Sequence, residues 1–329
     1  MLAQQGLGQL SAWAAGAQAL SLLATAYERG WTSFLAEPRE LDELATFSGL
    51  PADRTENVVA ALEVNGVVER HGGRIVLTPA FEALVADDAW LYLGDNLDEA
   101  AAMTRLVRAA VEDADGVSLG DADAMAIAKA AGGRPTPVSR AVYERLYAQI
   151  PEFAQAIREG RLLDVGCGIA AAALTSATMF PGMRSVELEI VPAVAAEARA
   201  RAEALGVADR VDVRCMDARK FDERDAFDAA LWAQPFFVES ARTETLAMIR
   251  RALKPGAILI IQEMDREPAD DAERPAFAVR KLVYENLGAR FASTAEQLIE
   301  EAEAAGFELD RLAVTDFGRI VIMRRPADG

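Results

Sequence analysis

From residue 161 onward, short apolar runs alternate with longer stretches of helical period. RLLDV (161–165), RSVELE (184–189), RVDVRCM (210–216), FDAALW (227–232), AILIIQE (257–263), LDRLAVTDF (309–317) and RIVIMRR (319–325) predict strands. Helical patterns fall between them, the clearest being PAVAAEARARAEALG (192–206), rich in alanine and closed by Gly206. Regular alternation of strand and helix predicts a parallel, doubly wound α/β sheet.

The pattern before residue 150 is different. Leu41, Leu44 and Ala45 make one helical face, SGLP (48–51) breaks it, and Val58, Val59, Leu62 and Val64 line a second helix ended by Asn65-Gly66. Two alternating runs, VVER and RIVL, flank His71-Gly72-Gly73, where glycine supplies the positive φ of a tight hairpin. Helix, turn, helix and hairpin predict a winged helix. The stretch LSAWAAGAQALSLLATA (10–26) predicts a further helix. It reads as buried rather than secretory, because no Lys or Arg precedes it and Ser11, Gln18 and Ser21 interrupt it. Met103, Leu106, Val107 and Ala110 then repeat at helical spacing, and a polar stretch ending AAGGRPTP (130–137) marks a linker or lid. The predicted organisation is a winged-helix domain over 1–95, a helical linker or lid over 96–150 and an α/β domain over 151–329.

Composition fits this division: 329 residues, 52% of them apolar, are enough for two cores. Thirty-four basic against fifty-two acidic side chains leave a net charge of −18, which repels phosphate backbones and anionic membrane surfaces. Neither nucleic acid nor a membrane is an expected partner. The second helix of the winged helix agrees, since PADRTENVV offers Arg54 against Asp53 and Glu56. Two cysteines, Cys167 and Cys215, make no disulfide framework and suit a reducing cytoplasm.

In a doubly wound sheet ligands sit at the carboxyl ends of the strands, so the residues ending each strand carry the chemistry. The first end is LLDVGCGIA (162–170), where two glycines let the chain turn sharply and approach a ligand closely. Asp164 disfavours a pyrophosphate and suits a cationic or amino-bearing ligand. Ala170 or Ala171 stands where a third glycine is usual. The second end is Glu189, about twenty residues on, placed to accept both hydroxyls of a ribose. Glu187 is its rival. At the third, CMDAR (215–219), Asp217 can accept from an exocyclic amine, with Met216 or Ala218 against the ring. At the fourth, WAQPFF (232–237), Trp232, Phe236 and Phe237 line either core or pocket, and Gln234 is polar at a tip expected to face the cleft. Tyr143 and Tyr147, on the helix entering the first strand, can pack on the sheet or face its ligand.

Asp164, Gly166 and Gly168, Glu189, Asp217 and LKPGA (253–257), in this order and spacing, resemble the class I S-adenosylmethionine-dependent methyltransferases over residues 150–329. The N-terminal winged helix resembles the dimerisation domain of small-molecule O-methyltransferases. The resemblance implies a Rossmann-like methyltransferase sheet, S-adenosylmethionine as cofactor, a small-molecule substrate and a homodimer. It implies that Asp164 holds the cofactor's amino group, that Gly166, Cys167 and Gly168 admit its backbone, and that Glu189 binds the ribose. Asp217 is then placed on the adenine edge, with Ile190, Ala218 and Trp232 completing the contacts.

Methyl transfer from a sulfonium is an in-line displacement in which alignment and exclusion of water do much of the work, and it requires no metal. The O-methyltransferase pattern usually places a histidine beyond the fourth or fifth strand. Here the only histidine is His71, in the wing hairpin. Glu239, Glu263 and Asp265 lie at the right strand ends to replace it; Glu263 is the preferred base, and the other two read as solvated loop. Glu263, Gln234 and Tyr147 thus form the candidate catalytic set. Transfer to O, N or C stays open. Two other readings remain: a non-methylating reaction such as cyclisation or rearrangement with the cofactor bound, and a winged-helix regulator.

Overall fold

The computed structural model describes residues 1–113 and 116–327. The chain divides into two compact units, Met1–Leu97 and Asp98–Gly329.

In the first unit, α1 (Leu2–Glu28) and α2 (Trp31–Phe34) precede the helices α3 (Leu41–Ser48) and α4 (Ala52–Val64), the hairpin strands β1 (Val68–His71) and β2 (Arg74–Leu77), and α5 (Pro79–Val85). Helix α6 (Leu93–Glu112) leads out of it. The wing turns on Gly72 and Gly73, both at positive φ, with register His71↔Arg74. Leu44, Val59, Leu62, Val68, Ile75 and Leu77 form its core.

Residues 10–26 are helical, as expected, but they are not buried. Within α1 only Ala26 is buried, whereas Leu7, Leu10, Trp13 and Leu20 are exposed. Apolar character alone fixed the expectation of burial; what covers a helix depends on tertiary placement that periodicity does not carry.

After the greater part of α6, the second unit continues with α7 (Asp121–Gly132), α8 (Pro137–Gln149) and α9 (Pro151–Arg158). It continues β3 (Arg161–Val165), α10 (Ala171–Met179), β4 (Arg184–Glu189), α11 (Pro192–Ala204), β5 (Val211–Cys215), β6 (Phe227–Trp232), α12 (Glu239–Ala252) and β7 (Leu253–Gln262). It closes with α13 (Arg274–Asn286), α14 (Ala295–Ala304), β8 (Glu308–Thr315) and β9 (Gly318–Arg324). The seven strands run β5-β4-β3-β6-β7-β9-β8. The first five are parallel, and β9 joins β7 and β8 antiparallel.

Each sheet face has its own helical layer. Leu163, Val165, Val186, Leu188, Ala230 and Trp232 pack with Leu246, Ile249 and Leu298 of α12 and α14. On the opposite face Leu162, Ala229 and Ile258 meet Tyr147, Phe153 and Ile157 of α8 and α9, while Val211 and Val213 meet α10 and α11. The chain starts at β3, builds outward to β5 and crosses back to β6. The strand order therefore reverses between β3 and β6, the point at whose carboxyl ends doubly wound sheets bind their ligands.

Candidate functional site

Beyond β3 the backbone turns through Gly166 (φ +78°), Gly168 (φ +56°) and Ala170 (φ +57°), the last capping α10. Glycine is needed at 166 for a second reason: a Cβ there meets the Phe237 ring at 2.7 Å. At Gly168 a Cβ meets only Ala128 at 3.8 Å. Ala128 belongs to α7, whose Ala124 packs with Ile169, Ala171 and Val194 beside the turn. The segment expected to be a linker or lid thus supplies a helix that covers the glycine turn.

Glu189 ends β4, and its carboxylate accepts from the backbone N–H of Gly168 at 3.0 Å and of Val191 at 2.8 Å. One side chain thereby ties the turn to the neighbouring strand tip. Each carboxylate oxygen keeps a second lone pair for a further donor. Burial raises the Glu189 pKa, and the backbone N–H groups hold it back. Ile190, the next residue, is exposed, and Cys167 is half-buried with its thiol pushed well up by burial and by Glu187, Asp164 and Glu189. Asp217 follows β5 and caps the short 3-10 turn Ala218–Lys220, accepting from Arg219 N–H at 3.0 Å. The Arg219 guanidinium keeps Asp217 ionised, below its ordinary range. Ala218 is buried in the sheet core.

Asp164 is buried on β3 beside Glu187, its register partner on β4. Asp164 Oδ1 and both carboxyl oxygens of Glu187 accept from no fixed donor among the described residues; they face each other and, for Glu187, the Ser185 hydroxyl. Burial pushes Asp164 up to about 7, and Glu187 is raised well above its ordinary value by burial and the Asp164 charge. Tyr143 is half-buried, its phenol pushed up by burial and then by the Asp164 carboxylate.

Four expectations are corrected. Trp232 is not at the cleft surface: it is 1% exposed in the core, with the Arg242 guanidinium 4.7 Å over its ring and Phe237 edge-on at 5.8 Å. Strand alternation points Trp232 toward α12, and Phe237 takes the place beside the glycine turn. Gln234 is also buried and faces inward, where Arg242 Nη1 donates to its carbonyl at 2.8 Å and its Oε1 at 3.1 Å. Tyr147 packs between Phe153 and Phe180, its hydroxyl 2.5 Å from Ser176 Oγ, while Tyr143 is the tyrosine near Asp164. Glu263 accepts from both Arg319 Nε (2.7 Å) and the Ala295 N–H (3.0 Å), and these donors hold its carboxyl below the usual range. A carboxylate so held is a poor proton acceptor.

Asp265 behaves oppositely. It has positive φ (+52°), lies 3.5 Å from Arg280, and burial raises its pKa. Glu99, also raised by burial, and Tyr284 sense the same Asp265 and Arg280 charges. Aromatic rings continue outward from this point: Phe236 meets Tyr284 at 6.3 Å, Tyr284 stacks on Phe291 at 5.3 Å, and Phe291 meets Phe277 at 5.2 Å. At the outer end of this row, Phe277 and Phe291 reach a groove of ≈ 910 Å³ whose other walls are largely charged, among them Glu263, Arg266, Lys281 and Arg319. Glu239, the third acid weighed, is exposed and paired with Arg290. His71 is exposed in the wing, 2.8 Å from Glu69.

A family model described as a methyltransferase domain matches residues 162–256, from β3 into the start of β7. This segment is a methyltransferase domain. Solved structures share the architecture along nearly the whole chain. One is an O-methyltransferase family protein from Burkholderia thailandensis, 15% identical, with TM-score 0.71 over 98% of this chain and 99% of that one. Another is human N-acetylserotonin methyltransferase in complex with SAM, 16% identical, with TM-score 0.69 over 98% of each chain. A third is N,N-8-amino-8-demethyl-D-riboflavin dimethyltransferase from Streptomyces davawensis, 19% identical, with TM-score 0.60 over 97% of this chain and 99% of that one. The fold of the chain is therefore the fold seen in these proteins.

Sequence reasoning left Phe237 between core and pocket, took Glu187 only as the rival of Glu189, and passed over Arg242. Glu187 carried a signal: parallel strands covered on both faces read as nearly continuous apolar runs, and SVELE interrupts that pattern.

Proposed function

We propose that this protein transfers a methyl group from S-adenosylmethionine to a hydroxyl or amine of a small, ring-bearing metabolite. The observation that carries the reading is the cradle of Gly166, Gly168 and Glu189 around an orphaned, buried acceptor on Asp164. The unpartnered Asp164 oxygen suits the cofactor's ammonium, Glu189 has free lone pairs for a ribose, and Ile190 and Asp217 stand where an adenine would be flanked and hydrogen-bonded. Bound there, the cofactor supplies a methyl carbon already activated by a sulfonium sulfur. The chain's own task is then alignment and exclusion of water, for which α7 and Phe237 are placed over the turn.

Asp265 takes the proton that a hydroxyl acceptor loses. Its raised pKa brings it toward the operating pH, as a general base requires, and Arg280 stands beside it to balance the charge. The exposed Phe236 ring, and the Phe277 and Phe291 edges that line the groove, give an aromatic acceptor apolar surface to pack on. We further propose a homodimer built on α1, since Leu2–Tyr27 holds no charged side chain and exposes Leu7, Leu10 and Trp13. Two free thiols suit a reducing cytoplasm. Among the described residues no helix is long and apolar enough to cross a membrane.

The test is a screen of phenols and aromatic amines with methyl-labelled S-adenosylmethionine, repeated on Asp265→Asn. Labelled product from wild type, with kcat for a phenol lowered about 100-fold or more in the variant, supports the assignment. Equal rates for the two proteins remove Asp265 from the chemistry.

A further inference from the structure

Asp164 and Glu187 sit side by side on adjacent parallel strands, 2% and 0% exposed; three of their four oxygens accept from no fixed donor among the described residues, and the two carboxyl groups face each other, with the Ser185 hydroxyl beside Glu187. Two ionised carboxylates cannot share so dry a place without a cation. Among the described residues the surrounding groups offer none. Glu189 and Ser185 share their face of β4, Asp212 on β5 adds negative charge, and Tyr143, Tyr147 and Cys167 have pKa values pushed up and stay neutral. Helix α10 has no ionisable side chain. The nearby arginines are committed elsewhere: Arg199 to the Val213 carbonyl, Arg201 to Glu197 and Gly133, and Arg210 to the Ala177 and Phe180 carbonyls.

We propose that Asp164 and Glu187 hold one proton between them in the free protein and release it to solvent when the cofactor's α-ammonium seats against Asp164. Glu187 is thereby a positioning residue that couples cofactor binding to pH. The inference rests on the cofactor reading above and goes beyond it, because Glu187 needs no contact with the ligand. The mechanism is electrostatic. A proton is the only positive charge available to the pair until a ligand brings another, and a cation at that point favours the doubly ionised form. Binding then releases a proton, and affinity rises with pH by up to about tenfold per unit while the released proton is one.

The experiment is calorimetric titration of the full-length protein at pH 7 with S-adenosylhomocysteine, in phosphate and in Tris, whose ionisation enthalpies differ. Methylthioadenosine, which has the same nucleoside and no ammonium, is the comparison ligand. The proposal expects on the order of one proton released with S-adenosylhomocysteine, none with methylthioadenosine, and clearly less release in Glu187→Gln. The wild-type comparison of the two ligands needs no variant to fold. Binding of S-adenosylhomocysteine with the same enthalpy in both buffers overturns the proton coupling and leaves the cofactor reading standing. Absence of binding by either ligand overturns the cofactor reading itself.

Discussion

Arg242 is the most deeply buried guanidinium in the methyltransferase domain among the described residues, with a side chain 1% exposed, and every direction of its fork is used. Nε and Nη2 donate to the two oxygens of Glu301 at 2.8 and 2.6 Å, and Nη1 donates to the carbonyl and side chain of Gln234. The plane also covers the Trp232 ring. Replacing it as Arg242→Met keeps much of the volume and removes all four bonds. Among the described residues Glu301 is left with only Arg290, 3.6 Å away. Breaking a buried pair from one side costs about 3–5 kcal/mol, because the remaining charge stays desolvated. That is a large part of a typical total of about 5–15 kcal/mol. For a domain of this size it lowers Tm by roughly 6–20 °C. Urea unfolding followed by tryptophan fluorescence measures it, since Trp232 lies under the perturbed group. The same substitution frees the Gln234–Phe236 turn that carries Phe237 to Gly166, so affinity for S-adenosylmethionine falls alongside stability. A loss under about 1 kcal/mol refutes the argument, because it means that Glu301 finds water or another partner at little cost.

Tyr147→Phe removes one buried hydroxyl contact, to Ser176, and is expected to cost about 0.5–1.5 kcal/mol of stability with kcat unchanged; a large fall in kcat at unchanged stability contradicts the assignment of Tyr147 to the core. Glu187→Gln is expected to unfold at a higher temperature than wild type at about pH 8–9, with the gap closing toward pH 5. The sign follows from a native pKa above the ordinary 4.5, since a folded state that binds the proton more tightly loses stability as pH rises from the unfolded value toward the native one. A melting series in which the gap widens on acidification reverses that sign and rejects it. Glu263→Gln is expected to lower stability by loosening Arg319 while leaving the pH profile of kcat in place, because a carboxylate bonded to Arg319 and Ala295 has no proton to exchange near neutrality; loss of the basic limb of that profile returns Glu263 to the role of base.

The strands were legible because fully covered parallel strands leave compact apolar runs, and RLLDV, RSVELE and FDAALW coincide with β3, β4 and β6. The glycine turn and Glu189 were legible for a related reason: backbone conformation at 166 and 168 and position at a strand tip are set by local sequence. Gln234 and Trp232 were not. At the end of β6 the chain enters a 3-10 turn, and whether a side chain there faces cleft or core is decided by Arg242, eight residues on, and by Glu301 on a different helix. Glu263 and Asp265, two residues apart, illustrate the same limit. Arg319, contributed by β9, quenches the first, whereas a left-handed backbone carries the second into a drier place beside Arg280. Helix α1 is the reverse case: its apolar, uncharged composition reads as buried, and the structure leaves Leu7, Leu10 and Trp13 exposed.

The glycine turn and Glu189 are the proposed cofactor cradle, and calorimetric titration of wild type and Glu189→Ala with S-adenosylmethionine tests this most directly. Binding by the intact protein, weakened by about 1–3 kcal/mol when the Glu189 carboxylate is removed, is the expected result. Binding of equal strength by the two proteins, in a variant that remains folded, contradicts it.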